Sequence, residues 1–265
     1  MRNSARCLCL YLVLSGLLAA CTTTYDTPKM VSPSTESQTQ GNDAKRAAIR
    51  LQLGISYFQQ DQFATALKEL NSAITIDPNL SDAYAVRALV HMQMQNNELA
   101  EQDFVKANRL TPNNPDNINN YGWFLCQTGK EKQAMELFDR VIKDRTYTQP
   151  VKALNNAGLC SLKMKDVGLA ETYFSQSIRF DANNPTTNLN LAKINYKKQD
   201  YSRAQFYVNR LVKSESYSAE ILWLAIKINH KLNDQIAVAT LYIQLHRRYP
   251  DSDEDGYYQR GAFDE

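Results

Sequence analysis

Small and large apolar residues recur along this chain at a spacing close to 34 residues. One series of small residues returns at intervals of 34, 34, 36, 34 and 33: Gly54, Ala88, Gly122, Gly158, Ala192 and Ala225. A second series keeps the same intervals: Ala66, Ala100, Ala134, Ala170, Ala204 and Ala237. Four residues after each member of the second series comes a larger apolar residue: Leu70, Phe104, Phe138, Phe174, Val208 and Leu241. Because residues four apart share one helix face, the pattern predicts a pair of helices repeated six times.

The period and the residue types resemble the tetratricopeptide repeat (TPR). Small residues in the first helix (helix A) and the second (helix B) allow the two helices to approach closely, and Pro78 and Pro112 each close a repeat because proline cannot continue a helix. We expect an all-α fold, a right-handed superhelical TPR solenoid within residues 43–251. Its six or so helix-turn-helix repeats span about 47–80, 81–114, 115–148, 151–184, 185–217 and 218–251. Another kind of α-hairpin array is the alternative.

The first twenty residues have the pattern of a secretory signal peptide. Arg2 and Arg6 form a positive segment, and an apolar stretch of 12 residues follows it at 7–18. That stretch is too short to cross a bilayer, which takes about 20 apolar residues. It runs into LAAC at residues 18–21, which closely resembles the lipobox of bacterial lipoproteins. We therefore expect cleavage after residue 20 and lipidation of Cys21; an ordinary signal peptide with an incidental cysteine is the alternative.

Residues 21–42 are rich in Ser, Thr, Gln and Pro and poor in large apolar residues. Such a composition buries too little surface to offset the entropy lost on ordering. We predict a lipidated flexible tether there, and a C-terminal tail at 252–265. Acyl chains on Cys21 would keep the protein on a membrane. Thr22, where an Asp would favour the inner membrane, indicates the outer membrane, with the protein facing the periplasm.

Charge and motifs argue against several classes of function. Removal of Arg2 and Arg6 with the signal peptide brings the formal net charge of +2 to about zero, so nucleic acid is not an expected partner. The sequence contains no HExxH, no GxxxxGK[ST] loop and no GxSxG elbow, and its three histidines have no metal-ligand spacing. We expect no catalytic residues, no metal, no cofactor and no small-molecule substrate; the protein is predicted not to be an enzyme.

Two cysteines remain after the signal peptide and the lipidated residue are set aside. Cys126 and Cys160 lie near the ends of helix A in consecutive repeats, at nearly equivalent places. Adjacent A helices pack side by side, and disulfides persist in an oxidising periplasm. The pair can form a disulfide, although two separate buried thiols are the alternative.

In TPR arrays the A helices line a concave face where ligands bind. The groove positions of the family fall here on eleven residues: Phe58, Leu89, Met92, Asn119, Trp123, Gln127, Asn155, Leu159, Leu162, Leu189 and Tyr196. Most of them are apolar, so this surface suits a helix or an extended peptide of a partner protein. Packing within the array is the alternative for each residue.

Residues 119–126 read NNYGWFLC, and a second segment, NNAGLCSLKMKDVGLAETYFSQSI, begins at residue 155. Together with the lipobox and the six repeats, these segments resemble the type IV pilus biogenesis/stability lipoprotein family (PilF/PilW). The resemblance implies a periplasmic outer-membrane lipoprotein that acts as pilotin for the pilus secretin, a PilQ-like subunit. The groove would then capture a secretin subunit while the acyl chains hold it at the membrane. A TPR scaffold for another envelope machine, such as outer-membrane protein insertion or a cell-wall enzyme, is the alternative.

Overall fold

A computed structural model describes residues 35–213 and 217–263. Within these ranges the chain forms thirteen helices and no strand. The helices are α1 (Thr35–Gln59), α2 (Phe63–Ile76), α3 (Ser81–Gln93), α4 (Asn97–Leu110), α5 (Pro115–Gln127), α6 (Glu131–Lys143), α7 (Val151–Lys163), α8 (Val167–Phe180), α9 (Pro185–Lys197), α10 (Tyr201–Lys213), α11 (Ala219–Lys231), α12 (Gln235–Arg248) and α13 (Asp253–Gln259). The helical array belongs to one compact unit, Gly41–Glu265, and α1 begins in the residues before it.

The first twelve helices form six hairpins, which confirms the predicted all-α TPR solenoid. Each A helix turns into its B helix through a residue with left-handed backbone, at φ between 56° and 84°: Asp61, Gln95, Gly129, Lys165, Gln199 and Asn233. This conformation is the usual way to end a helix and reverse the chain. Each B helix packs on the A helix of the next hairpin, from α2 on α3 to α10 on α11, so a core continues from repeat to repeat.

The small residues of the repeat mark the closest approach of helices A and B. A Cβ atom built on Gly158 would lie 2.6 Å from the Phe174 ring, and one built on Gly122 would lie 2.8 Å from the Phe138 ring. All four residues are buried. The large residue of helix B therefore lies directly over the small residue of its own hairpin. The ring of Phe104 also reaches the next hairpin, 5.4 Å from that of Phe124.

Both ends of the array differ from the prediction. Helix α1 begins at Thr35, inside the stretch predicted as the tether, and α13 lies inside the predicted tail. Residues 35–42 include Glu and Gln, which favour helix, and no proline; extending a helix already formed from residue 43 adds one hydrogen bond per residue. The predicted signal peptide and Cys21 lie outside the described residues. In the part of the chain that the structure covers, no helix is both long and apolar enough to span a bilayer.

Candidate functional site: the A-helix face

Several A helices of successive hairpins pack directly on one another. Helix α3 packs against α5, α5 against α7, and α9 against α11, whereas no two B helices in the described ranges make comparable contacts. We call the side of the A helices that points away from the B helices the A-helix face. A partner polypeptide laid along this face would cross successive hairpins.

Most of the predicted groove residues are half-buried on this face. They pack against the core on one side and keep the other side in solvent: Phe58, Leu89, Met92, Trp123, Leu159, Leu162, Leu189 and Tyr196. Gln127 is exposed. The apolar members extend over α3, α5 and α7, so the middle of the A-helix face is an apolar surface that a partner can cover.

The structure differs from the prediction at Asn119 and Asn155, which are buried. Asn155 Oδ1 accepts hydrogen bonds from Ser177 Oγ at 3.0 Å and Thr187 Oγ1 at 2.7 Å, and its Nδ2 donates to Asn184 Oδ1 at 2.9 Å. Asn119 is fully buried. Because a buried carboxamide needs partners for both its atoms, Asn155 ties α7 to α8 and α9 instead of offering its side chain to a ligand.

Sequence reasoning missed the neighbouring residues that do reach the face. Asn120, Asn156 and Asn190 are half-buried, each one residue beyond a predicted position. Asn120 Oδ1 accepts a hydrogen bond from Lys152 Nζ at 2.9 Å. The sequence does contain a signal for these positions, since each of the three asparagines stands two residues before the small residue of its helix A. They add a polar row beside the apolar one.

A disulfide joins the A helices in the middle of this face. Cys126 of α5 and Cys160 of α7 are bonded, with Cα atoms 5.9 Å apart, and both are fully buried. Lys163 Nζ also donates to the backbone oxygens of Cys126 at 2.6 Å and Gln127 at 3.0 Å. These carbonyls end α5, where a cation is favourable. The bond and the lysine fix α5 against α7 beside Trp123.

The C-terminal end of the face has a different composition. Tyr196 lines a recess of about 380 Å³ between α9 and α11, together with Trp223, Leu224, Glu220 and three lysines. Trp223 packs against Tyr257 of α13 at 6.0 Å between ring centroids. The sixth-repeat residues of this recess were not predicted, because the repeat pattern is least regular there.

The shifted pKa values in this part of the array come from an ion pair and from burial. Arg87 Nε and Nη2 each donate to the Asp103 carboxylate at 2.7 Å, and this hydrogen bonding raises the pKa of Arg87. Burial lowers the pKa of the nearby His91. Burial, followed by Asp116, raises the pKa of Tyr147 to about 12. In residues 35–213 and 217–263, no cluster of His, Cys, Asp or Glu is suited to a metal ion.

Six helical hairpins, with Gly54, Gly122 and Gly158 each lying under a large B-helix side chain, define the class of TPR proteins. The chain is similar to the type IV pilus assembly protein PilF of Pseudomonas aeruginosa, with 31% identity over 83% of this chain and 87% of that protein. The solved structure of Pseudomonas aeruginosa PilF superposes with a TM-score of 0.73 at 30% identity, covering 83% of this chain and 99% of the other.

A second solved structure, PilW, described as a widely conserved type IV pilus biogenesis factor, gives a TM-score of 0.71 at 29% identity and covers 80% of this chain and 98% of its own. A family model for the coatomer epsilon subunit matches residues 16–234, which include most of the helical repeats. PilF and PilW are covered over almost the whole length of their solved chains, at 30% and 29% identity. The chain belongs to the PilF/PilW family of TPR proteins.

Proposed function

We propose that the protein is an outer-membrane lipoprotein of type IV pilus biogenesis that binds a subunit of the pilus secretin. The A-helix face would capture the subunit, and the acyl chains on Cys21 would hold the complex at the outer membrane, facing the periplasm. Localisation and multimerisation of the secretin would then depend on this protein. Its contribution is binding, not catalysis.

One observation of the surface carries the proposal: the apolar row that crosses α3, α5 and α7. Met92, Trp123 and Leu159 are half-buried at successive steps of the array. Large aromatic and flexible apolar side chains are typical anchors of protein interfaces, and truncating one can cost about 2 kcal/mol of binding or more. Family membership adds the second support, since the relatives PilF and PilW are named for pilus assembly and biogenesis.

The test replaces the anchors and measures the secretin. In cells that carry Trp123→Ala or Met92→Lys, we expect the protein to remain folded and attached to the membrane while SDS-resistant secretin multimers are lost. Val105→Lys is the matched control, because Val105 is 41% exposed on helix α4 of the same hairpin as Met92. Circular dichroism of each purified variant checks folding, and a multimer blot checks function.

The outcome that contradicts the proposal is a normal level of multimers with both anchors replaced and the helix content unchanged. Loss of multimers with Val105→Lys as well would show that the secretin site is not on the A-helix face. Cys21→Ser tests the anchor separately: we expect no lipid labelling and release of the protein into the soluble periplasm. Continued palmitate incorporation in that variant would exclude the lipobox.

A further inference from the structure

Three asparagines occupy one repeat position on the A-helix face, in α5, α7 and α9. Asn120, Asn156 and Asn190 each stand two residues before the small residue of their helix, and each is half-buried. In α3 the same position is Val86, and in α11 it is Trp223, which is buried. The three carboxamides therefore form a row, which we call the asparagine row, with an apolar residue at the equivalent position on either side.

Each carboxamide of the asparagine row uses one of its two polar atoms within the array. Asn156 Nδ2 donates to Asn119 Oδ1 at 3.1 Å, and Asn190 Nδ2 donates to a backbone oxygen of its own helix at 2.8 Å. Asn120 Oδ1 accepts from Lys152 Nζ at 2.9 Å. The other atoms, Asn120 Nδ2, Asn156 Oδ1 and Asn190 Oδ1, have no hydrogen-bond partner among the described residues. The row therefore offers a ligand one donor and two acceptors.

The middle member of the row can present either polarity. Asn119 is fully buried, and its Nδ2 lacks a partner in residues 35–213 and 217–263. When both carboxamides turn by 180°, Asn119 Nδ2 donates to Asn156 Oδ1, and Asn156 Nδ2 becomes available instead. The exchange keeps the hydrogen bond between the two residues, because a carboxamide carries a donor and an acceptor. Asn156 can therefore pair with either an N–H or a C=O group of a ligand.

We propose that the asparagine row binds the main chain of a linear polypeptide segment that lies extended across α5, α7 and α9. An extended main chain presents both N–H donors and C=O acceptors, which matches the mixed polarity of the row. A bound helix satisfies these groups internally, and it would cover the three free atoms without pairing them, which is costly. The inference rests on the proposed function, since it specifies how the A-helix face holds its partner.

The dimensions of the row set the length of the segment. Neighbouring helices pack about 8–10 Å apart, and an extended chain rises about 3.3 Å per residue, so about five or six residues cross the row. Asn156 also lines a recess of about 420 Å³, together with Leu159 and with residues of α5 and α9. Ligand pockets span roughly 300 to 1,000 Å³. One side chain of the segment can therefore enter this recess while the main chain stays on the row.

The first test uses synthetic peptides of about fifteen residues that tile the secretin subunit, with the full mature chain as the receptor. We expect at least one peptide to bind saturably. Each of its residues is then N-methylated in turn, which removes the N–H donor and leaves every side chain in place. Because successive N–H groups of an extended chain point to opposite sides, methylation should weaken binding about tenfold or more at alternate residues of one stretch of about five or six. Elsewhere the affinity should change less than about twofold.

Two substitutions that make the same charge change separate donor from acceptor. Asn120→Asp removes the free donor and should weaken the peptide about three- to tenfold, as expected for one hydrogen bond. Asn190→Asp keeps an acceptor and should leave the affinity within about twofold. Asn190→Ala removes that acceptor and should weaken binding about three- to tenfold, whereas Asn209→Ala, at an exposed position of α10, is its matched control and should have no effect. Circular dichroism and thermal unfolding confirm that the variants fold.

Several results would overturn the proposal. If none of the peptides binds saturably, the face does not hold a linear segment. Binding that is insensitive to N-methylation along the whole peptide would show recognition by side chains alone. Equal affinities of the Asn120→Asp and Asn190→Asp variants, or of Asn190→Ala and Asn209→Ala, would exclude the asparagine row.

The outcomes for the secretin proposal are separate. Loss of multimers with Trp123→Ala, combined with peptides that ignore the asparagine row, would support the secretin proposal and contradict this one. Normal multimers with both anchors replaced, combined with peptides that depend on the row, would contradict the secretin proposal alone.

Discussion

Neighbouring repeats are joined differently in the middle of the array and at its C-terminal end. In the middle, α3–α8, the Cys126–Cys160 disulfide joins the A helices α5 and α7, and a buried polar network around Asn155 ties α7 to α8 and onward to α9. At the C-terminal end, α9–α13, the described side chains form a large apolar cluster that runs from Ala192 through Trp223 to Phe263. That end contains no cysteine, since Cys160 is the last cysteine of the sequence.

The difference follows from the number of neighbouring repeats that each part has. A middle repeat has a neighbour on both sides, while the last repeat has none beyond α12 and would expose one face. Helix α13 and the residues after it cover that face: Tyr258 stacks on Tyr242 at 3.7 Å, and Phe263, beyond α13, stacks on His230 at 4.0 Å between ring centroids. In the middle, the covalent bond fixes the A helices while their apolar side chains remain available to a partner.

Removal of the disulfide should lower the stability of the middle region more than any other change lowers the stability of either region. The bridge spans 34 residues, and the restriction of the unfolded chain corresponds to about 3–4 kcal/mol. We expect Cys126→Ala with Cys160→Ala to lower the free energy of unfolding by about that amount in a urea titration. Hydrogen exchange should accelerate in α5 and α7 and change little in α11.

The matched control is the wild-type protein after reduction, which should reproduce the loss without changing any side-chain volume. Mass spectrometry of alkylated, non-reduced wild type should find neither thiol free. An acceleration of hydrogen exchange in α11 as large as that in α5 would show that the two parts are not stabilised independently.

Truncation after residue 251 should have the next largest effect. It removes α13 and Phe263 from Trp223, which is only 4% exposed. Burying one Phe-sized side chain contributes about 1.5–3 kcal/mol, offset partly by the entropy of ordering the segment, so we expect a net loss of about 2 kcal/mol. In the Trp123→Phe background, the emission of Trp223 should shift to the red. An unshifted spectrum would mean that α13 does not cover the indole.

Much of the fold could be predicted because one spacing marks the contact of helices A and B. That spacing places Gly158 under Phe174 and Gly122 under Phe138. The face was harder to predict, since one residue corresponds to about 100° around a helix. Asn119 was predicted on the face and is buried, whereas Asn120 reaches it. Helix α13 has no counterpart in the other repeats, so periodicity could not reveal it.

The contact of helices A and B can be tested with two glycines of neighbouring helices. A Cβ at Gly158 would lie 2.6 Å from a buried Phe174 carbon, while one at Gly168 has no neighbour closer than 3.7 Å. Gly158→Ala should destabilise the middle of the array by about 1–2 kcal/mol, because overpacking exceeds the gain in helix propensity. Gly168→Ala, in the exposed first turn of α8, should stabilise it by about 0.5–1 kcal/mol. Two changes of the same sign in thermal unfolding would contradict the assigned contact.

Replacement of His91, on α3 in the middle region, should have the smallest effect on stability. Its Nδ1 is buried and lacks a hydrogen-bond partner in the described part of the chain. Burial, and less strongly Arg87, lower the pKa of His91, while Asp103 opposes the shift. At the C-terminal end, by contrast, His246 Nδ1 lies 3.1 Å from the buried carboxylate of Asp255. The middle region therefore holds a histidine that folding favours in its neutral form.

A lowered pKa in the folded state means that the unfolded chain binds a proton more readily as the pH falls. The contribution of His91 to stability should be complete above the ordinary histidine pKa of about 6.5, and should be lost as the pH drops through that range towards the lower folded value. We expect His91→Gln to flatten the fall in unfolding free energy between about pH 8 and about pH 5. The difference between the two urea-unfolding curves isolates His91, because His230, His246 and the carboxylates are present in both proteins. Parallel curves, or a wild type that gains stability relative to the variant on acidification, would show that folding does not favour the neutral ring.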